Sequence, residues 1–332
     1  MQRISRRRLT GALGAALCSA SLPARAQQQP KVWRIGFLAA RSRSTPAKPD
    51  IWYDAFVQGL RELGYAEGKN LIIEWRFADG QYERFPVLAA ELVRLKPDVL
   101  VTQTPSTFAL QRETKTIPIV VAGINDAISQ GFSTSLARPS GNVTGLINFS
   151  SELIQKRLEQ LTILIPKLSK VAMLQNPGSV SSALSLKSLT VATDRLGIKL
   201  VPVDARTAEE IERGFAQMAR ERIWAVIVAN DAFFLGQGKL IAELAVKHRI
   251  ASISPYSESV KEGVLMSYGQ DTVEAYRHLA VHVVKILKGT KVSDLPIEQP
   301  TRIQLAINLK TAKALGLKFP EQLLLRADEV IE

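Results

Sequence analysis

From Val32 onward, short apolar runs rich in Val, Ile and Leu alternate with longer stretches whose apolar residues recur every three or four positions. The short runs read as strands buried on both faces, the longer ones as amphipathic helices. Strands are predicted at 32–38, 71–75, 98–102 and 117–121, with helices over 50–64, closed by Gly64, and over 83–95. The rhythm restarts after 147. Helices over 151–165, 181–196, 207–220 and 236–248 lead to strands at 170–174, 198–203, 224–228 and 250–254. A strand at 264–268, a helix over 271–288, a strand at 302–307 and a helix over 309–315 follow.

This pattern predicts an α/β fold of two similar lobes, each a parallel sheet flanked by helices. The chain passes between lobes near 145–149, 253–256 and 292–300, which makes a multi-strand hinge rather than a tether. The expected first lobe is 31–147 plus 255–290, and the second 148–254 plus 291–332. A cleft between hinged lobes suits closure on a small solute.

Residues 1–26 carry a different message. Arg3, Arg6, Arg7 and Arg8 are followed by a small, apolar run from Leu9 to Leu22, then by Ala24-Arg25-Ala26. This is the order of a cleaved export signal, and the apolar run is shorter than the ~20 residues a membrane span needs. The mature chain is expected to start at Gln27 and to work in the periplasm. Ser5-Arg6-Arg7-Arg8-Leu9 also resembles a twin-arginine signal.

Five of the +12 net charges belong to that leader, leaving about +7 spread over the rest of the chain. No run of five like charges and no aromatic–basic interleaving occurs, so nucleic acid is not an expected partner. The single cysteine, Cys18, lies in the leader, so the mature chain has neither disulfide nor thiol chemistry.

Catalytic motifs are missing. No glycine-rich nucleotide loop follows a strand, and no Gly-x-Ser-x-Gly occurs; Gly236-Gln237-Gly238 lacks a third glycine. Of three histidines, His278 and His282 stand four apart on one helix, with no Glu between them and no cysteine to join them. That falls short of a metal motif. Neither metal nor cofactor is expected, and the chain is not read as an enzyme.

Ligands of such sheets sit beyond the carboxyl ends of the strands. The loops there hold small polar groups: Arg41, Arg43 and Ser44 after the first strand, Thr104 and Pro105 after the third, and Asn125 and Asp126 after the fourth. Asn148 and Phe149 lie at the first crossing, Asn176 and Asp231 follow strands of the second lobe, and Tyr256 and Tyr268 stand near the return. Any one of them is explained as a helix cap or turn residue; their gathering at one rim is the signal. Asp126 or Asp231 would hold an ammonium, helix starts after 105 and 150 a carboxylate, and Tyr256 or Phe149 an apolar or aromatic portion. An amino acid or aromatic carboxylate fits these parts.

Longer matches carry a family resemblance. They are Gly59-Leu60-Arg61-Glu62-Leu63-Gly64-Tyr65 with Gly68-Lys69-Asn70-Leu71, Leu88-Ala89-Ala90-Glu91-Leu92-Val93, Thr116-Ile117-Pro118-Ile119-Val120, and Leu136-Ala137-Arg138-Pro139 with Gly141-Asn142-Val143-Thr144-Gly145. Near the end come Leu265-Met266-Ser267-Tyr268-Gly269, Lys285-Ile286-Leu287-Lys288-Gly289 and Ile307-Asn308-Leu309-Lys310-Thr311-Ala312. With these the chain resembles bacterial ABC-transporter substrate-binding proteins of the group with tryptophan- and phenylalanine-binding members, built on the type I periplasmic-binding-protein fold. The resemblance implies a monomeric receptor that closes on a solute and delivers it to an ABC permease in the inner membrane. Asp126 and Asp231 fall at Asp-Pro positions of the family, with Ala127 and Ala232 here in place of proline. Asn176-Pro177 matches a family turn, and Ser254 stands where tyrosine is frequent.

A periplasmic sensor feeding a signalling receptor is the alternative with the same fold, and a secreted hydrolase a more distant one. A DNA-binding regulator would need a helix-turn-helix where the export signal stands.

Overall fold

The structure is a computed structural model that describes residues 31–42, 50–124, 127–128, 130–148, 150–299 and 302–332. The expected export signal therefore lies outside the described residues, as do Arg43, Ser44, Asn125, Asp126 and Phe149.

Five strands form the first sheet: β1 (Trp33–Ala39), β2 (Leu71–Phe77), β3 (Val99–Gln103), β4 (Ile119–Ile124) and β5 (Val143–Ile147). Their order is β2-β1-β3-β4-β5, all parallel. Seven strands form the second: β6 (Lys170–Gln175), β7 (Lys199–Asp204), β8 (Ala225–Val228), β9 (Ala251–Ser254), β10 (Met266–Gln270), β11 (Ile303–Asn308) and β12 (Glu329–Ile331), in the order β12-β11-β10-β9-β8-β6-β7. The architecture is α/β, with two mainly parallel sheets flanked by helices. β3, β8 and β9, within the two sheets, are buried end to end because helices cover both faces.

The second sheet departs from the expected all-parallel arrangement, since β11 runs antiparallel to β10. Chain connectivity explains this. After β10 the chain leaves for the first lobe, where helix Thr272–Leu287 packs on helix Ile51–Glu62. It comes back to the second sheet from that same side, so the returning strand points the opposite way.

The expected assignment of 255–290 to the first lobe thus divides. Helix Thr272–Leu287 lies there, whereas β10 pairs with β9 and β11 in the second sheet. Residues 292–298, expected in the second lobe, stay with the first: Thr144 Oγ1 donates to the Leu295 carbonyl at 2.9 Å and Glu298 N–H to the Gly145 carbonyl at 2.9 Å. A hydrophobic run announces a strand but not its neighbours, which is why the pattern misplaced these segments. The chain crosses near 148, 271 and 299.

Two glycines set close approaches. At Gly59 an added Cβ would stand 2.6 Å from the Arg277 carbonyl oxygen, so the two first-lobe helices approach backbone to backbone. Gly145, at φ +141°, brings β5 against β4 so tightly that a Cβ would lie 2.1 Å from the Val121 oxygen. Gly145→Ala combines this clash with a backbone conformation that alanine disfavours. It is expected to destabilise the fold by about 2–3 kcal/mol, read as a lowered urea midpoint.

Candidate ligand-binding site

The carboxyl ends of β3, β4, β5, β8, β9 and β10 converge on one cavity of about 830 Å³, a volume that includes its open mouth. Of the residues expected at the rim, Thr104, Asn148, Asp231 and Tyr256 line it. Trp52, Gln103, Arg157, Ser179, Asn230 and Tyr276 join them.

The chemistry concentrates in two buried, oppositely charged side chains. Asp231 caps the short helix Ala232–Leu235. Its Oδ1 accepts the Phe233 N–H at 2.9 Å and the Tyr82 hydroxyl at 3.0 Å, while Oδ2 has no hydrogen-bond partner. Burial pushes the Asp231 carboxyl above the usual range, opposed by those two donors and by the nearby Ser179 and Asn176 side chains. Arg157 lies on helix Ser150–Leu164 and is 1 % exposed. Its Nε donates to the Tyr268 carbonyl at 2.8 Å, and Nη1 has no partner. Burial pulls the guanidinium down to about 10, so it stays charged at neutral pH. Ser179, at the start of helix Val180–Leu196, adds a third unpartnered polar atom, its Oγ.

Aromatic rings face these groups. Trp52 sits 5.3 Å from Tyr256 and 5.6 Å from Tyr276, centroid to centroid. Polar tips hold the rings in place: the Tyr256 hydroxyl donates to Asn230 Oδ1 at 2.6 Å, and Gln103 Nε2 donates to the Tyr276 hydroxyl. Thr104 Oγ1 donates to the Gly123 carbonyl. Two bonds join the lobes beside the cavity, Tyr82 to Asp231 and Trp52 Nε1 to Glu258 Oε1 at 2.6 Å.

Other expected site residues stand apart. Arg41 is drawn to Asp50, which caps helix Ile51–Glu62; its guanidinium donates to Asp50 Oδ1 at 2.8 Å and lies 4.0 Å above the Trp52 ring. It backs an aromatic wall and does not line the cavity. Asn176 does not line the cavity but stands just behind it: its Oδ1 accepts the Gly178 N–H at 3.0 Å in a local turn, and its side chain is close enough to Asp231 to favour the ionised carboxyl. Tyr268 contributes its carbonyl to Arg157 and not its ring to the cavity. Pro105 occupies the first turn of helix Thr104–Glu113.

The rim rule did not reach Arg157, because it sits within a helix. A signal was present: Leu153, Ile154, Leu158 and Leu161 form the buried stripe of that helix, and Arg157 falls among them. An arginine on an apolar stripe is buried only for a reason.

Residues 44–331 match the family model described as ABC transporter substrate binding protein. The chain belongs to that family. Among relatives, the tyrosine-binding protein of Clostridioides difficile is 26 % identical over 264 residues, covering 79 % of this chain and 76 % of that one. A Streptococcus pneumonia ABC domain in complex with L-Trp superposes with a TM-score of 0.81 at 24 % identity, over 91 % of this chain and all of the other. A substrate binding protein with adhesive properties from Clostridium difficile, in its ligand-free, open form, gives a TM-score of 0.64 at 26 % identity, over 90 % of this chain and 99 % of the other. These neighbours share the type I periplasmic-binding-protein fold. Among the described residues, no helix is long and apolar enough to cross a membrane.

Proposed function

We propose that this substrate-binding protein is the periplasmic receptor of an ABC importer and that its solute is an amino acid with an aromatic side chain. The observation that carries the reading is the pair of buried charges in one cavity, Asp231 with a free Oδ2 and Arg157 with a free Nη1. A buried ion without a partner costs several kcal/mol, so both groups are set to receive the complementary ion of a ligand. A zwitterion supplies both, its ammonium to Asp231 and its carboxylate to Arg157. Trp52, Tyr256 and Tyr276 offer a surface for an aromatic ring. The tyrosine-binding relative and the L-Trp complex support this class of solute.

The mechanism is a population shift. Asp231 and Arg157 belong to the second lobe and Trp52 and Tyr276 to the first, so a ligand engages both sets only when the lobes are closed. The direct bonds between lobes, and the better superposition on the L-Trp complex than on the ligand-free open structure, support reading this conformation as closed. The permease would recognise that form. The receptor binds and releases its solute unchanged, as a monomer, after export through the signal at 1–26.

Thermal unfolding with L-Trp, L-Tyr and L-Phe tests the reading. A ligand at one hundred times its dissociation constant adds about 2.7 kcal/mol, a rise of several degrees. At least one of the three is expected to produce it, whereas tryptamine and indole-3-propionate, each lacking one charge, are not. Equal shifts with those analogues would defeat the zwitterion reading.

A further inference from the structure

Outside the cavity, the fold assembles a cluster that the histidine spacing alone does not announce. His278 and His282 sit one turn apart on helix Thr272–Leu287, and residues 296–298 run past them. The His278 Nε2 lies 2.6 Å from Glu298 Oε2, and the His282 Nε2 lies 3.6 Å from Glu298 Oε1. One nitrogen from each histidine and one oxygen from Glu298 all fall within 4.8 Å of one another. The third ligand that the sequence lacks nearby is thus delivered by a segment twenty residues downstream of His278.

We propose that His278, His282 and Glu298 form a binding site for a borderline divalent metal ion of the Zn²⁺ class. Two imidazoles and one carboxylate are the donor set such an ion prefers, whereas Ca²⁺ and Mg²⁺ require more oxygens. Tetrahedral coordination with bonds near 2.0–2.1 Å spaces ligand atoms about 3.3 Å apart. The cluster reaches that spacing by opening the His278–Glu298 contact and swinging both of those side chains toward His282. His278 and Glu298 have room to do so, with side chains 43 % and 33 % exposed, while His282 is fully buried and fixed. The exposed side leaves a fourth position for water.

The backbone of the carboxylate is anchored. Glu298 N–H donates to the Gly145 carbonyl at 2.9 Å, and the Glu298 carbonyl accepts the Ile147 N–H at 2.8 Å. The site therefore rests on β5 and on the root of the third crossing between lobes. Two features compete with metal. The Pro296 carbonyl lies 3.4 Å from His282 Nε2, and Lys285 brings a positive charge close enough to act on both His282 and Glu298. A site of moderate affinity follows.

The test is metal uptake by the purified protein, prepared without a polyhistidine tag and stripped with a chelator. Titration calorimetry with Zn²⁺ is expected to give one equivalent, and Co²⁺ to produce a visible absorption band from nitrogen–oxygen coordination. His278→Gln and Glu298→Gln preserve shape and are each expected to lose the stoichiometric uptake and the cobalt band. Both are expected to keep the native circular dichroism and the amino-acid response. No uptake by the folded wild type would overturn the proposal, as would uptake that both variants retain.

Discussion

Arg157→Met is expected to abolish amino-acid binding while leaving the unliganded protein at least as stable as the wild type. The two halves of this result have one cause. The guanidinium is fully buried, bonded through Nε to the Tyr268 carbonyl and unpartnered at Nη1. Burial pulls its folded pKa down to about 10, below the value in the unfolded chain. The fold therefore binds this proton more weakly than the unfolded chain does. The resulting cost in stability is fully present below the folded pKa and fades as pH rises from the folded pKa to the unfolded one. Methionine is unbranched and apolar, follows the stem of the arginine and carries no charge, so it removes the cost. Against this stands only the loss of one hydrogen bond to Tyr268. Replacing buried ions by apolar residues of like volume is often neutral or stabilising by about 1–4 kcal/mol.

With the ligand present the balance reverses. Losing one partner of a buried charge pair costs about 2–5 kcal/mol, which is roughly thirtyfold to several thousandfold in affinity. Titration calorimetry with the amino acid that stabilises the wild type, together with urea unfolding without ligand, reads both halves. A variant that binds normally would remove Arg157 from the site. One that loses stability together with binding would make its role structural.

The residues that sequence reasoning reached and those it did not differ in how their signal is written. Strands and helices are local, so their periodicity placed ten of the twelve strands among the described residues, missing only the short β5 and β12. Asp231 was legible because it follows β8 and caps a helix, the place where open α/β sheets present ligand groups. Trp52 and Tyr276 were not, because at helical spacing they are indistinguishable from core residues, and both are indeed buried. Arg41 misled for a related reason. Its loop lies at the rim, but Asp50 and two aromatic rings claim the guanidinium. Strand partnership and the His278–Glu298 contact are long-range facts, set by how the chain returns from the first lobe, and no local pattern encodes them.

Asp231→Asn is expected to weaken binding by about 2–5 kcal/mol and to flatten its dependence on pH. Asparagine is nearly isosteric. Its Oδ1 still accepts the Phe233 N–H and the Tyr82 hydroxyl, so the cap and the link between lobes persist. What disappears is the charge and the free Oδ2, replaced by an amide that donates where the ligand ammonium also donates. The acid limb follows from the wild-type group. Burial raises its folded pKa above the ordinary carboxylate value, so the unliganded fold takes up this proton more readily than the unfolded chain. Through this group, the stability of the unliganded protein falls as pH rises from the unfolded pKa to the folded one. An ammonium at Oδ2 favours the ionised form, so affinity falls as pH drops through the raised pKa and each bound ligand displaces a proton. In the asparagine variant no such proton exists, and the residual affinity is level across that window. Calorimetric titrations at several pH values, in buffers of different ionisation enthalpy, count the displaced proton directly. A wild type that releases none, or an asparagine variant with the same acid limb, would place the ammonium elsewhere in the cavity.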